Sequence, residues 1–371
     1  MKKLAVFALL LVFAIGTAFA QEKAPEPYQP PRLQSEGAWT MVVIPDPQSY
    51  VKFERNQGVF DLMTAWVAEN LQTLNIQQVL CTGDLVECNG MPVPRNLEHY
   101  NQNSTQMWEN VSQAFKRLDG RTPYVLCTGN HDYGKYSAEN RDTQFSKYFP
   151  ASRNSAWKGV LVEIGKNTRG EETLENAAYE FTAPNGQKIL TSALQFAPTD
   201  EILDWAAKLC SSEKYANHFV ILLTHSYMLG HNAENKRLDR ENYKLLNPDK
   251  PEGRGNTGEK IWQKLVYPAK NIRLVVCGHV SKVNQMDGCV GFSADKNQSG
   301  KNVSQLLFDT QALGGGWCGN GGDGWLQLLE FSKDMKTVRV RTFSPLFAIS
   351  PSTQSLAWDK SAICEFTFEV D

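Results

Sequence analysis

The sequence predicts an α/β fold, a four-layer αββα sandwich of two mixed β-sheets flanked by helices. Three observations predict it. Five short apolar runs each end in a residue able to bind a metal or move a proton. Between them lie stretches whose apolar residues recur with the helical period. The middle and last thirds carry runs joined by turn residues, the pattern of antiparallel strands. Alternation of strand and helix implies parallel pairing with helices outside. The antiparallel runs add the second pairing pattern, so both sheets are expected to be mixed.

The elements follow in order. Lys2 and Lys3 precede an apolar run over residues 4–15, and Ala18, Phe19 and Ala20 follow. This is the anatomy of an export signal cleaved before Gln21. The run is shorter than the roughly 20 residues a membrane span needs, and no later stretch is long and apolar enough to span. The expected organisation is a signal peptide over residues 1–20, a Pro-rich linker or strap over 21–36, and one domain over 37–371. The mature chain is expected to be exported, periplasmic or secreted.

Net charge is −2. Without a basic stripe, no nucleic-acid binding is expected. The chain has 8 Cys. Cys81, Cys127 and Cys277 lie in predicted core strands and read as small buried hydrophobes. Cys88, Cys210, Cys289, Cys318 and Cys364 are open to pairing, with no pattern to say how. Nothing in the sequence specifies the oligomeric state.

The five apolar runs are residues 40–45 (TMVVIP), 77–82 (QQVLCT), 123–128 (PYVLCT), 219–224 (FVILLT) and 272–277 (IRLVVC). Helical stripes are predicted over residues 60–74, 108–118, 200–209 and 259–266, with Asp200 as a helix cap. Antiparallel strands are expected around residues 179–182, 188–194, 305–310, 325–331 and 337–343, with turns at 184–186 and 333–336. Residues 232–258 and 314–324 are polar, Gly-rich excursions, a length that marks either functional loops or solvated surface.

The strand ends form the constellation. Asp46 and Gln48 follow the first run, Asp84 and Glu87 the second, Asn130, His131 and Asp132 the third, His225 the fourth and His279 the fifth. In open α/β sheets, sites form beyond the carboxyl ends of the strands. Carboxylate, amide and imidazole together suit Mn, Fe or Zn better than Ca or Mg alone. Asp84, with two oxygens, is able to bridge two ions, and a metal pair clamps both oxygens of an in-line displacement at phosphorus.

Asp46 with Gln48, Gly83 with Asp84, Gly129-Asn130-His131-Asp132, His225, and Gly278 with His279 resemble the ordered blocks of the calcineurin-like metallophosphoesterase superfamily. The resemblance covers residues 39–344. It implies metal-dependent hydrolysis of a phosphate monoester or diester by water activated at two divalent ions, of Mn, Fe, Zn or Mg. It assigns Asp84 as the bridging carboxylate, Asn130, His225 and His279 to one ion, and Asp46 to the other. His131 would assist the leaving group, with Asp132 orienting it.

Two blocks depart from the superfamily pattern. Gln48 stands where Asp-x-His has its histidine, and Ser281 where Gly-His-x-His has its second. Both missing imidazoles belong to one metal position, leaving weak neutral donors there and favouring a harder ion such as Mn or Mg. Glu87 either restores an anionic ligand or pairs with a base. Arg141 is a candidate phosphate fork. The competing expectation is an exported phosphate- or glycan-binding envelope protein that keeps the fold with a depleted site. Two bound ions favour hydrolysis; one or none favours binding.

Overall fold

The computed structural model describes residues 27–370 except 95, 235, 248, 251 and 252. The expected export signal and residues 21–26 of the linker lie outside the described residues. Fourteen described strands run β1 (Trp39–Ile44), β2 (Ile76–Cys81), β3 (Tyr124–Leu126), β4 (Leu161–Lys166), β5 (Glu172–Thr182), β6 (Lys188–Ala193), β7 (Phe219–Leu223), β8 (Ile272–Cys277), β9 (Val290–Lys296), β10 (Asn302–Phe308), β11 (Leu326–Phe331), β12 (Thr337–Phe343), β13 (Trp358–Asp359) and β14 (Phe366–Glu369). One sheet has the order β13-β12-β11-β1-β2-β3, with β14 also on β12; the other is β4-β5-β6-β7-β8-β10-β9.

Both sheets are mixed. β1, β2 and β3 are parallel to one another, as are β6, β7, β8 and β10, while the remaining pairs are antiparallel. Every residue of β1 is buried, which explains why this strand reads as a continuous apolar run. The sheets meet through aromatic rings. Trp39 stacks on its cross-strand partner Phe331 at 4.2 Å, and Phe181 and Phe219 of the other sheet meet that pair edge-on. Thr191 also donates to Gln78 across the gap, at 2.6 Å.

Helices form the outer layers. Gln57–Glu69 and Ser104–Phe115 bury Phe60, Met63, Val67, Trp108 and Val111 against the first sheet. Asp200–Ser211 and Gly258–Ile261, the latter continuing as the π-helical stretch Trp262–Val266, bury Ile202, Leu203, Ile261 and Leu265 on the second. Each such side chain contributes roughly 1.5–3 kcal/mol.

Two expectations about helix starts change. The helix expected from residue 108 starts at Ser104, because Asn103 and Gln106 form a capping box. Asp200 is not the cap: Thr199 holds that position, and the Asp200 carboxylate binds Lys264 and Asn256 instead.

A further change concerns pairing. The runs at β6 and β10 were expected to be antiparallel, yet each has one antiparallel neighbour and one parallel neighbour. A short apolar run identifies a strand but not its partner. The consequence for β10 is that its C-terminal end joins the same rim as those of β7 and β8.

The described part of the linker is a strap. Gln34 N donates to Glu330 at 2.8 Å, Arg341 to Arg32 O at 3.0 Å, and Trp358 to Gln29 O at 2.8 Å. All eight cysteines are free; Cys81, Cys127 and Cys277 are fully buried and Cys318 is exposed. No described helix is long and apolar enough to cross a membrane.

Candidate metal centre

The C-terminal ends of β1, β2 and β3 from one sheet meet those of β7, β8 and β10 from the other. The chain turns sharply beyond them. Asp84 has φ +46° and His279 φ +76°, a left-handed region that side chains other than glycine rarely adopt. Such strain persists where surroundings over-determine it. Here Gln48 N donates to Asp84 O at 3.0 Å, and His279 N to Asp46 Oδ2 at 2.9 Å. Two glycines make room for the carboxylates: a Cβ on Gly129 would overlap Asp84 Oδ1, and one on Gly278 would overlap Asp46 Oδ1.

The imidazole side is complete. His225 Nδ1 donates to the Thr82 carbonyl at 2.7 Å, which leaves Nε2 as the nitrogen able to ligate a metal. Around Nε2 lie Asn130 Oδ1 at 3.0 Å, His279 Nδ1 at 3.1 Å and Asp84 Oδ2 at 3.3 Å. The Asn130 amide is oriented by donating to Ser137 at 2.9 Å. His279 Nε2 donates to Glu241 Oε1 at 2.6 Å, leaving Nδ1 turned to the centre. Burial disfavours the His279 cation, but Glu241 outweighs it and raises the pKa; Glu241 in turn is held below its usual range by His279 against its own burial. Phe196 and Tyr243 stand edge-on or tilted to these imidazoles.

His131 is placed differently from the expected relay. Its Nδ1 donates to the Glu87 carbonyl at 2.7 Å, which leaves Nε2 free. Asp132 does not orient it. Its carboxylate, fully buried, accepts from Gly129 N at 2.7 Å and Val86 N at 3.2 Å. Successive residues of a tight helical turn point apart, so Asp132 ties the loop to the end of β2 while His131 faces outward.

The other side is built from oxygen. Asp46, fully buried, accepts from Thr82 Oγ1 at 2.6 Å as well as from His279 N. Gln48 donates to Gln311, and its own Oε1 is buried without a partner. Gln311 donates to Asp309 Oδ2 at 2.8 Å. Three expected helpers are committed elsewhere. Glu87 pairs with Lys52 at 3.1 Å, Ser281 Oγ accepts from Ala312 N at 3.2 Å, and Arg141 donates to the carbonyls of Phe196 and Ala197, each at 2.6 Å. The Arg141 fork, expected to face phosphate, is closed by backbone.

Electrostatics show what the centre lacks. Burial, then the charges of Asp309 and Asp84, push the Asp46 carboxyl well up; burial, with Asp84 adding, takes Asp309 up to about 6. Burial also acts against ionised Asp84, but His225 and His131 outweigh it and hold its pKa below the usual range. No described Lys or Arg forms an ion pair with Asp46, Asp84 or Asp309. Buried carboxylates without a cation are strongly disfavoured. Glycine cradles, an orphaned amide oxygen and converging O and N donors all fit divalent metal. Among the described residues, Asp84, His225 and His279 place their ligand atoms within 4.8 Å of one another.

The sequence matches the calcineurin-like phosphoesterase family over residues 40–282, and the chain belongs to that family. The family's general chemistry is metal-dependent phosphoester hydrolysis. The chain is 28% identical over 312 residues to "Uncharacterized protein YvnB" of Bacillus subtilis (strain 168), covering 83% of this chain but 20% of that relative's length. Among solved structures it is similar to a dimetal phosphatase from Danio rerio (TM-score 0.49, 10% identity, 90% of this chain and 99% of that one). Another is GAP50, the anchor in the inner membrane complex of Plasmodium (TM-score 0.44, 9% identity, 91% and 89%).

Three residues at the centre were missed in the sequence. Glu241 and Tyr243 come from the polar excursion over residues 232–258, where no local pattern marks them. Asp309 carries the same signal as the others, a carboxylate directly after an apolar strand, but the run was grouped with antiparallel hairpins. Beside the oxygen-rich side lies a cleft of about 690 Å³ lined by Lys52, Glu87, His99, Tyr100 and Trp317.

Proposed function

We propose that this chain hydrolyses phosphate monoesters or diesters at a pair of divalent ions, and that it does so after export. The observation that carries the reading is the convergence of Asp84, Asn130, His225 and His279 on one point, beside a second carboxylate, Asp46, with no described Lys or Arg paired to either carboxylate. Asp84, Asn130, His225 and His279 would hold one ion, and Asp46, Gln48 and the shared Asp84 the other. When bound, the ions supply Lewis-acid chemistry, polarising phosphoryl oxygens and acidifying water.

The chain's own groups supply the rest. Glu241 and the Thr82 carbonyl hold the two imidazoles in their ligating tautomers. His131 keeps its Nδ1 proton on the Glu87 carbonyl, so Nε2 is the atom that delivers a proton to the departing alkoxide. The cleft beside Glu87 takes the organic group of the ester, with Trp317 as an apolar wall and His99 as a polar contact.

The test is hydrolysis of aryl phosphate mono- and diesters by the purified chain after reconstitution with Mn, Fe, Zn or Mg. Turnover with at least one ion is expected, and the monoester-to-diester ratio then defines the substrate class. Inertness with all four, together with fewer than two ions bound per chain, would instead favour the envelope-binding role.

A further inference from the structure

We propose that Asp309 is a ligand of the ion on the oxygen-rich side, the anion that replaces the imidazoles absent at Gln48 and Ser281. The inference rests on the two-metal reading of the centre. It begins with topology. β10 lies parallel to β8 with Leu307 opposite Cys277. Carrying that register forward two residues brings Asp309 level with His279, at the rim and not inside the sheet.

Its surroundings then narrow its role. Asp309 is fully buried, and no described Lys or Arg pairs with it. Its negative charge, like that of Asp84, raises the Asp46 pKa, which places the three carboxylates in one region of the rim. Each Asp309 oxygen accepts one hydrogen bond from Gln311, from N at 3.1 Å and from Nε2 at 2.8 Å. A carboxylate has about four acceptor positions, so capacity remains for a cation. The same hydrogen-bond chain runs through Gln311 to Gln48, whose Oε1 is only 3% exposed with its residue and has no partner. That orphaned oxygen is a separate sign that a positive ligand belongs here. Glu87 and Ser281 do not compete, since Lys52 and Ala312 hold them.

The donor set follows: carboxylates Asp46, Asp84 and Asp309 with the Gln48 carbonyl, all oxygen and three of them anionic. Such a set favours Mn or Mg, while the imidazole side suits Zn or Fe. The centre is therefore expected to be chemically asymmetric.

The test is metal content of the full chain and of Asp309→Asn after Mn loading and dialysis, by elemental analysis, with thermal unfolding of both metal-free proteins. Wild type should retain two ions. Asp309→Asn should retain one, with the lost ion weakened beyond the roughly 10–100-fold typical of removing a mere supporting group. Its metal-free unfolding midpoint should be equal to or above wild type, because Asn keeps an acceptor for Gln311 N and removes a buried charge. Retention of two ions at wild-type affinity overturns the proposal. So does loss of an ion together with a lowered metal-free midpoint or failure to fold, which would make Asp309 structural. A wild-type chain that itself binds fewer than two ions fails at the earlier step and removes the two-metal reading along with this one.

Discussion

The two halves of the centre contrast in how they are built. On the imidazole side, every donor atom is oriented by a hydrogen bond from behind: Thr82 holds His225, Glu241 holds His279 and Ser137 holds Asn130. On the oxygen-rich side, Gln48 and Gln311 form a chain of neutral amides, and the charge comes from carboxylates that repel one another. The first half is preorganised for a ligand that accepts nitrogen. The second is disfavoured until a cation enters it. On the proposed assignment of Asp309, loss of two motif histidines does not by itself empty a metal position, because anionic oxygen arrives from a strand outside the motif.

The largest effect should come from breaking what the halves share. Asp84→Asn is expected to lower turnover of aryl phosphate by on the order of 10³-fold or more, and elemental analysis should show both ions diminished. His131→Ala touches neither half: turnover should fall by roughly 10²–10⁴-fold while both ions remain bound. Ion loss in that variant would place His131 in the metal set instead.

Glu241→Gln probes the imidazole half alone. Zn or Fe affinity should drop by roughly 10–100-fold, measured by competition with a chelator, with the Mn-preferring position unaffected. The smallest change in turnover belongs to Arg141→Met. It leaves the carbonyls of Phe196 and Ala197 without their donors, so denaturant unfolding should show a loss of about 1–3 kcal/mol. Turnover per folded molecule should hold. A large rise in KM with stability intact would restore Arg141 as a phosphate contact.

Much of the fold was legible because short apolar strands and amphipathic stripes are local signals. β1, β2, β3, β7 and β8 are where the five runs predict them, and their terminal residues meet as a rim site requires. What was illegible was pairing. The run of β10 lies among segments joined by turn residues, and nothing within it records that β8 lies alongside; Asp309 was hidden by that alone. Glu241 was hidden for another reason. It reaches His279 from a polar excursion whose course depends on packing across the whole second sheet, which no window of sequence contains. The orienting role of Asp132 came from the superfamily resemblance, and here its carboxylate accepts from Gly129 N and Val86 N instead of reaching His131.

Gly129 and Gly278 carry one more consequence. Gly129 has φ −101°, a conformation open to any residue, so its obstacle to substitution is space alone. One methyl group there, or on Gly278, would evict a carboxylate oxygen and leave every ligand still spelled out in the chain. Such a variant would keep every candidate ligand by its letters and lose the carboxylate placement that the centre depends on. For this architecture, the shortest route to an emptied centre runs through the two residues that have no side chain to lose.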